Sequence, residues 1–169
     1  MDRDELRAVQ APLKDRYRED PEAAVVTLHA SGVLGEGQTC SVQTGRALVE
    51  AGLHPATGGS GMAACSGDML LQALAACAGV TMGAVATSMG LAVTGTVHAD
   101  GDLDFRGTLG VDKEAPVGFR AIRLHFDLVS DAPQEDVDTL VRLTERYCAV
   151  LQTLAGTPTL STTADTTRP

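Results

Sequence analysis

The most constraining feature of the chain is an uncharged stretch of twenty-one residues, Met69 to Met89, in a sequence of 169 residues. Ser66 can cap a helix that begins just before this stretch, and Asp68 places a negative charge at the positive end of the helix dipole. Gly90 provides a left-handed stop. The pattern predicts one long apolar helix, which the rest of the fold has to cover.

Membrane insertion is the main alternative for this helix. It is just long enough to span a bilayer, and Gly79 and Gly83 have the spacing found at membrane helix interfaces. Small and polar residues make up much of the stretch, however, and no cluster of Lys or Arg marks a cytoplasmic flank. A helix that is apolar all round is otherwise the centre of a globular core. One sheet covers such a helix poorly, so we expect a homodimer in which a second copy completes the core.

The composition indicates a single globular domain, with 44% hydrophobic and 21% charged residues. A net charge of −9 opposes binding to nucleic acid or to an anionic membrane. The chain has two Tyr, three Phe and no Trp, which is too few rings for a stacking surface. We therefore expect no nucleic-acid and no membrane partner. The N-terminus lacks the order of charges of a secretory signal, so a cytoplasmic location is expected.

The cysteines carry the chemistry that the composition allows. In the cytoplasm they are expected to be free, metal-bound or redox-active rather than held in permanent disulfides. No two of them are spaced as Cys-x-x-Cys, and the histidines are scattered singly. Structural zinc is therefore disfavoured, and the sequence indicates no cofactor. The four cysteines are Cys40, Cys65, Cys77 and Cys148.

Before the long helix, the sequence predicts an amphipathic helix bent near Pro12 and then a β-hairpin with a glycine-containing turn. A further strand or short turn and a glycine-rich loop follow, and His54 in this loop could reach the mouth of a pocket. The amphipathic helix is residues 2–20, and the hairpin is residues 24–43 with its turn at Gly35–Gly37. The further strand or short turn is residues 46–53, and the glycine-rich loop is residues 54–61.

After the long helix, alternating residues predict three antiparallel strands, and an apolar stripe predicts a second helix from near Pro133 to Gly156. A short last strand precedes the tail. The strands are residues 91–99, 103–111, 119–129 and 158–163, with a turn at 100–102. We therefore predict an α+β fold, an antiparallel sheet with a long buried central helix. Its parts are an N-terminal helical extension (1–22), a main domain (23–164) and a frayed tail (165–169).

Two of the cysteines lie in the two apolar helices. Cys77 is in the long helix, and Cys148 is in the second one. If the helices cross near these residues, one thiol can be oxidised and the other can attack it, as a two-cysteine thiol peroxidase requires. A buried cysteine by itself is more often structural. The pairing favours a redox role, and Cys65 at the loop-to-helix junction is an alternative resolving thiol.

The sequences around these cysteines resemble the OsmC/Ohr family. In the run Gly67–Cys77 an acidic residue opens a Leu/Ala helix and an Ala-Ala pair precedes the cysteine, as in the helix that carries the family's peroxidatic cysteine. The run Tyr147–Leu154 is similar to the later helix with the second cysteine, and Gly118–Phe126 fits the strands between them. The resemblance covers roughly residues 24–163.

The resemblance implies an intertwined α+β homodimer that reduces organic hydroperoxides. It implies that Cys77 is the peroxidatic residue, which becomes a sulfenic acid, and that Cys148 is the resolving residue, which closes a disulfide. Asp68 takes the place of the family's helix-opening glutamate. A small thiol or a dihydrolipoyl group would then reduce the disulfide. The apolar residues around Cys77 favour an organic peroxide over hydrogen peroxide.

The chain departs from the family pattern in three places. No arginine stands where the family has one to support the thiolate, and Arg46 is the nearest candidate. Asp68 is shorter than glutamate and lies about 13 Å from Cys77 along an ideal helix, on the opposite face. Ala149 replaces the proline that usually follows the second cysteine. These departures motivate an alternative function: an OsmC-like protein that binds a small apolar ligand with little or no peroxidase turnover.

Overall fold

The structure is a computed structural model that describes residues 2–5, 8, 10, 11, 19, 32–34, 39–44, 47–110 and 112–167. Most of the predicted N-terminal helix, the predicted turn at Gly35–Gly37 and Arg46 therefore lie outside the described residues. Residues 3–5 are helical. The backbone N–H of Asp2 donates to Glu5 Oε2 at 2.9 Å, and that of Glu5 donates to Asp2 Oδ1 at 2.8 Å.

The first sheet has four strands in the order β1-β2-β3-β4. β1 pairs antiparallel with β2, with Gly32 opposite Val42, and β2 pairs antiparallel with β3. This pairing confirms the strand after the predicted hairpin and the described part of the hairpin itself, whereas residues 24–31 lie outside the described residues. β4 runs parallel to β3. The strands are β1 (Gly32–Leu34), β2 (Thr39–Thr44), β3 (Ala47–Gly52) and β4 (Ala64–Cys65).

The predicted long helix is α1 (Ser66–Met89), and it ends at Gly90 with φ 74°, as expected. Its N-cap is Cys65, whose side chain makes no capping bond, rather than Ser66. One stripe of residues four apart is buried, and Val80 on another face is 76% exposed. The predicted burial on all sides is therefore not found within one chain. The buried stripe is Leu74, Ala78, Met82 and Ala86.

A separate two-stranded sheet follows, in which β5 (Thr94–Leu103) pairs antiparallel with β6 (Phe119–Val129). The predicted turn at 100–102 is wrong, because β5 continues through it. Asp102 faces outward and pairs with Arg123, whose Nη2 donates to Asp102 Oδ1 at 2.8 Å. A Cβ on Gly101 would clash with the ring of Phe119, so this strand position requires glycine.

The predicted strand at 103–111 is also wrong, because the chain forms a short helix there, α2 (Phe105–Thr108). Asp104 is the N-cap of this helix and accepts a hydrogen bond from the backbone N–H of Arg106 at 3.2 Å. An acidic cap at this position stabilises a helical turn over an extended strand.

The second apolar helix is divided into α3 (Gln134–Tyr147) and α4 (Ala149–Ala155), and the prediction of one continuous helix is wrong. The division falls at Cys148, whose backbone is extended with φ −71° and ψ 104°. The predicted last strand is wrong as well. Residues 158–163 form no regular structure, and Leu160 is 87% exposed.

The core lies along the buried stripe of α1. Its first cluster joins Leu74 and Ala78 to Cys148, and its second joins Met82 and Ala86 to Leu140 of α3. The inner face of the β5–β6 sheet packs against these clusters. α1 is thus enclosed between that sheet and the α3–α4 pair, which brings the two predicted redox cysteines into one layer. The packing residues of the sheet include Val97, Ala99, Ile122, Leu124 and Phe126.

Candidate functional site

The structure brings Cys77 of α1 and Cys148 together. Cys148 is fully buried, and Cys77 is half-buried against the same cluster. The two thiols lie close enough that each shifts the pKa of the other. Both are free cysteines. Proximity of two free thiols is a precondition of disulfide formation.

The surroundings of Cys77 lower the pKa of its thiol. The backbone N–H of Val150 is the largest cause, and burial acts in the opposite direction. The thiol of Cys148, the hydroxyl of Thr81 and the backbone N–H of Ala149 add smaller contributions, each lowering the pKa. All of these groups can donate a hydrogen bond to a thiolate. Cys77 is therefore the sulfur at which negative charge is stabilised.

The pKa of Cys148 is raised, chiefly by burial. The backbone N–H of Leu151 lowers it in part, whereas the hydrogen bond to Cys77 and the charge of its thiolate raise it. The two thiols share one site but have opposite shifts. The pKa of Cys77 therefore lies below that of Cys148, and Cys77 is the thiol that ionises first.

The break between α3 and α4 produces this arrangement. Cys148 is the N-cap of α4, so the first backbone N–H groups of α4 have no carbonyl partner within the helix. Those of Ala149 and Val150 act on Cys77 instead. Ala149 keeps an N–H that a proline would lack.

The sequence interpretation missed these backbone donors because it treated residues 133–155 as one helix. A continuous helix would have used the same N–H groups internally. One signal was available. Proline favours the first position of a helix, and the OsmC/Ohr pattern that this chain resembles has a proline directly after the second cysteine. That pattern points to a helix start at residue 149.

The structure does not bring Asp68 to the cysteine pair. Asp68 is exposed in the first turn of α1 and is not among the groups that shift the pKa of Cys77. Its predicted part in the site remains a prediction, and a link to Cys77 would have to run through other groups or through a partner subunit. Within the described part of the chain, no charged side chain contributes to the lowered pKa of Cys77. Arg46 lies outside the described residues.

Cys65 lies elsewhere, at the N-terminal end of α1. It lines a cavity of about 290 Å³ together with His54, which lies in the loop after β3. Twelve residues separate Cys65 from Cys77, which is about 18 Å along a helix. Across residues 47–110 and 112–167, no group of three or more His, Cys, Asp or Glu is placed to hold a metal ion.

Comparison with known proteins places this geometry in a family. The family model for OsmC-like protein matches residues 58–163, which include both cysteines. No curated protein sequence is similar enough to the chain to count as a match.

Solved structures share the fold at low sequence identity. An OsmC-like protein from Mycoplasma pneumoniae is 19% identical with a TM-score of 0.65, covering 78% of this chain and 89% of its own. A hypothetical protein from Aquifex aeolicus is 16% identical with a TM-score of 0.60 and the same two coverages, 78% and 89%. The organic hydroperoxide resistance protein OhrB of Bacillus subtilis is 16% identical with a TM-score of 0.50, covering 79% of this chain and 94% of its own.

These structures support the α+β fold, and the family model covers residues 58–163, which is more than half of the chain. The resemblance noted from Gly67–Cys77 and Tyr147–Leu154 is thereby confirmed, and the chain belongs to the OsmC-like protein family.

Proposed function

We propose that the protein is a thiol-dependent peroxidase that reduces organic hydroperoxides with Cys77 and Cys148. The observation that carries the proposal is the contact between two free thiols, one of which is set up to ionise and the other to stay protonated. A structural pair of buried cysteines needs no such difference. A peroxidatic and a resolving cysteine need this difference in their tendency to ionise.

In the first step the Cys77 thiolate attacks the outer oxygen of the hydroperoxide. An S–O bond forms, the O–O bond breaks, and the alkoxide takes a proton to leave as the alcohol. Cys77 becomes a sulfenic acid. The N–H groups of Val150 and Ala149 stabilise the charge on sulfur before the attack.

In the second step the Cys148 sulfur attacks the sulfur of the sulfenic acid. The disulfide forms, and the hydroxyl group leaves as water with the proton given up by Cys148. An external dithiol, such as a dihydrolipoyl group, or two small thiols then supply two electrons and two protons that restore both cysteines.

An organic peroxide fits the surroundings better than hydrogen peroxide does. Cys77 packs against a cluster that contains Leu74, Val97 and Phe126, and an apolar wall gains by burying an alkyl or aryl group. The structural neighbour from Bacillus subtilis is named an organic hydroperoxide resistance protein, which agrees with this choice of substrate.

We further propose a cytoplasmic homodimer with no nucleic-acid or membrane partner. α1 carries no charged side chain from Met69 to Met89, yet Val80 is 76% exposed in the single chain. By length and composition alone α1 could also cross a membrane. The core helices of soluble proteins meet the same criteria of length and hydropathy. A second copy that covers this face would bury the apolar surface without a bilayer.

Ultracentrifugation tests the dimer. The native protein should sediment as a dimer without detergent, and Val80→Asp should shift it to monomer. Val129→Asp is the matched control, because Val129 is 71% exposed on β6, outside the face of α1. A native monomer, or a protein recovered only with membranes, contradicts this proposal.

The peroxidase is tested with cumene hydroperoxide and a dihydrolipoyl or simple thiol reductant in a coupled assay. The native protein should consume the peroxide, and a Cys77→Ser variant should not exceed the protein-free rate. Equal rates for the two would contradict the proposal, whatever the fold.

One observation favours the alternative function, a small-ligand-binding protein of the same fold. No charged side chain among the described residues supports the Cys77 thiolate. Alkylation by iodoacetamide separates the two functions. Reaction of Cys77 near pH 7 supports the peroxidase, and reaction only at high pH supports the binding protein.

A further inference from the structure

A second region of the chain has the features of a binding site. A cavity of about 290 Å³ lies where the loop after β3, the N-terminal end of α1 and the start of β6 meet. A cavity of about 160 Å³ shares six of its lining residues. Neither Cys77 nor Cys148 lines them. The six shared residues are His54, Cys65, Gly67, Leu103, Phe105 and Phe119.

Aromatic rings are concentrated here, in a chain that has only three Phe, two Tyr and no Trp. Phe105 and Phe119 both line the cavities. The ring of His54 stacks on Phe105, with centroids 5.0 Å apart and planes 18° apart. Stacked rings attract each other beyond the area that they bury, so walls of this kind favour a flat ligand.

His54 also supplies an oriented polar group. Its Nδ1 accepts a hydrogen bond from the backbone N–H of Ala56 at 3.1 Å, so the neutral ring carries its proton on Nε2. Among the described residues no acceptor is paired with that Nε2–H. A carbonyl or hydroxyl oxygen of a ligand can accept it. Asp68 at the wall of the smaller cavity disfavours an anionic ligand.

We propose that this cavity is a second binding site, which takes a small uncharged molecule with one aromatic ring and a hydrogen-bond acceptor. The ring packs against Phe105 and Phe119, and the acceptor receives the Nε2–H of His54. An apolar cavity of about 150 Å³ is enough for benzene, so 290 Å³ accommodates a ring with a substituent.

Cys65 provides the means to test the site. If Gly67 carried a Cβ, that atom would lie 3.6 Å from Cys65 Sγ and 3.4 Å from side-chain carbons of both Leu103 and Phe119. The thiol and the two apolar side chains therefore lie around the same point of the cavity wall. A thiol at the wall of the cavity reports on what enters it. We would use a Cys77→Ser, Cys148→Ser chain, so that the test is independent of the peroxidase, and follow Cys65 by peptide mass spectrometry.

N-phenylmaleimide carries a phenyl ring where N-ethylmaleimide carries an ethyl group. The ratio of their reaction rates with glutathione gives the preference of a free thiol for the phenyl reagent. At Cys65 the phenyl reagent should be preferred about tenfold more than at glutathione. Phe105→Leu should bring the preference to within about twofold. Phe126→Leu, which removes the third phenyl ring away from the cavities, should leave it unchanged. Cooperative melting would show that each variant is folded.

Acetophenone has the ring and the acceptor but no reactive alkene, so it should slow labelling of Cys65 by N-ethylmaleimide. This protection should be lost in Phe105→Leu and reduced in His54→Ala. The proposal is overturned if Cys65 shows the ratio of glutathione, if acetophenone gives no protection, or if neither reagent reaches Cys65. The proposal is also contradicted if Phe126→Leu reduces the preference for the phenyl reagent as much as Phe105→Leu does.

Discussion

Cys77 within α1 and Cys65, the N-cap of α1, differ in what surrounds the sulfur. Around Cys77 the neighbours are hydrogen-bond donors, from Val150, Cys148 and Thr81. Cys65 lines a cavity whose walls include the apolar side chains of Leu103 and Phe119. One helix therefore presents a site suited to stabilising a negative charge and another suited to holding an uncharged ring.

The difference teaches that the partner elements, not the helix, set the chemistry of each cysteine. α1 offers Cys77 one hydroxyl, from Thr81, and the remaining donors come from the first turn of α4 and from Cys148. The cavity that Cys65 lines is closed by residues of β5, of β6 and of the loop after β3, in addition to the first turns of α1. Substitutions in those partner elements should consequently change one region and spare the other.

The largest effect is expected from the cysteines themselves. Cys77→Ser should abolish peroxide consumption, because serine gives no sulfenic acid. Cys65→Ser should keep the native rate within about twofold, since Cys65 lies about 18 Å along the helix from Cys77. Steady-state rates with cumene hydroperoxide measure both. If Cys65→Ser is the variant that loses turnover, Cys65 is the resolving thiol and the roles of the two regions are wrong.

The next largest effect is expected from substitution of Cys148, which should prevent formation of the disulfide. One equivalent of organic hydroperoxide should join Cys77 to Cys148 within one chain, as peptide mapping would show. Cys148→Ser and Cys148→Ala should both accumulate sulfenic and then sulfinic acid on Cys77. A Cys65–Cys77 pair, or a Cys77 that stays reduced, contradicts the two-cysteine mechanism.

The two regions should also differ in stability. Leu74 is fully buried and packs against the cluster of Cys148, so Leu74→Ala should lower the free energy of unfolding by about 2–5 kcal/mol. Leu53 is 44% exposed at the wall of the second cavity, and Leu53→Ala should cost less than about 1 kcal/mol. Urea unfolding measures both changes, and equal costs would show that the cysteine pair is not the better-packed region.

The smallest effect is expected at Ala149. Proline suits the first helical position but has no N–H, so Ala149→Pro should remove one donor to Cys77 and raise its pKa. Less thiolate is then present below that pKa, and the alkylation profile should move to higher pH. One hydrogen bond corresponds to a rate about two- to tenfold lower at neutral pH.

Ala149→Gly is the matched control for that measurement, because glycine keeps the N–H and should leave the iodoacetamide profile of Cys77 in place. A profile that is identical in the proline and glycine variants would show that the Ala149 amide does not act on the thiolate.

Local signals predicted those elements that depend on local chemistry. The uncharged run predicted α1, and Gly90 predicted its end, because glycine reaches a positive φ without strain. Alternating residues predicted β6. The resemblance to the family paired Cys77 with Cys148, and the contact between the two thiols agrees with that pairing.

The errors arose where tertiary contacts decide the local structure. Asp100–Asp102 has the composition of a turn, but it continues β5 because Arg123 pairs with Asp102 and Gly101 makes room for Phe119. The apolar stripe through Cys148 hides the break that frees the amides of α4. The uncharged run also predicted burial of α1 on all sides, but Val80 is 76% exposed in the single chain, and periodicity does not reveal how much of a helix one chain covers.

The break at Cys148 has one more consequence, for measurement. The N–H groups of Ala149 and Val150 lower the pKa of Cys77, so they stabilise its thiolate once it forms, whereas a disulfide sulfur carries no charge to hold them. Formation of the proposed disulfide would therefore weaken the interaction of Cys77 with two identifiable amides at the start of a seven-residue helix. The backbone amide resonances of these two residues, and their rates of exchange with solvent, provide a built-in gauge of the redox state that requires no label.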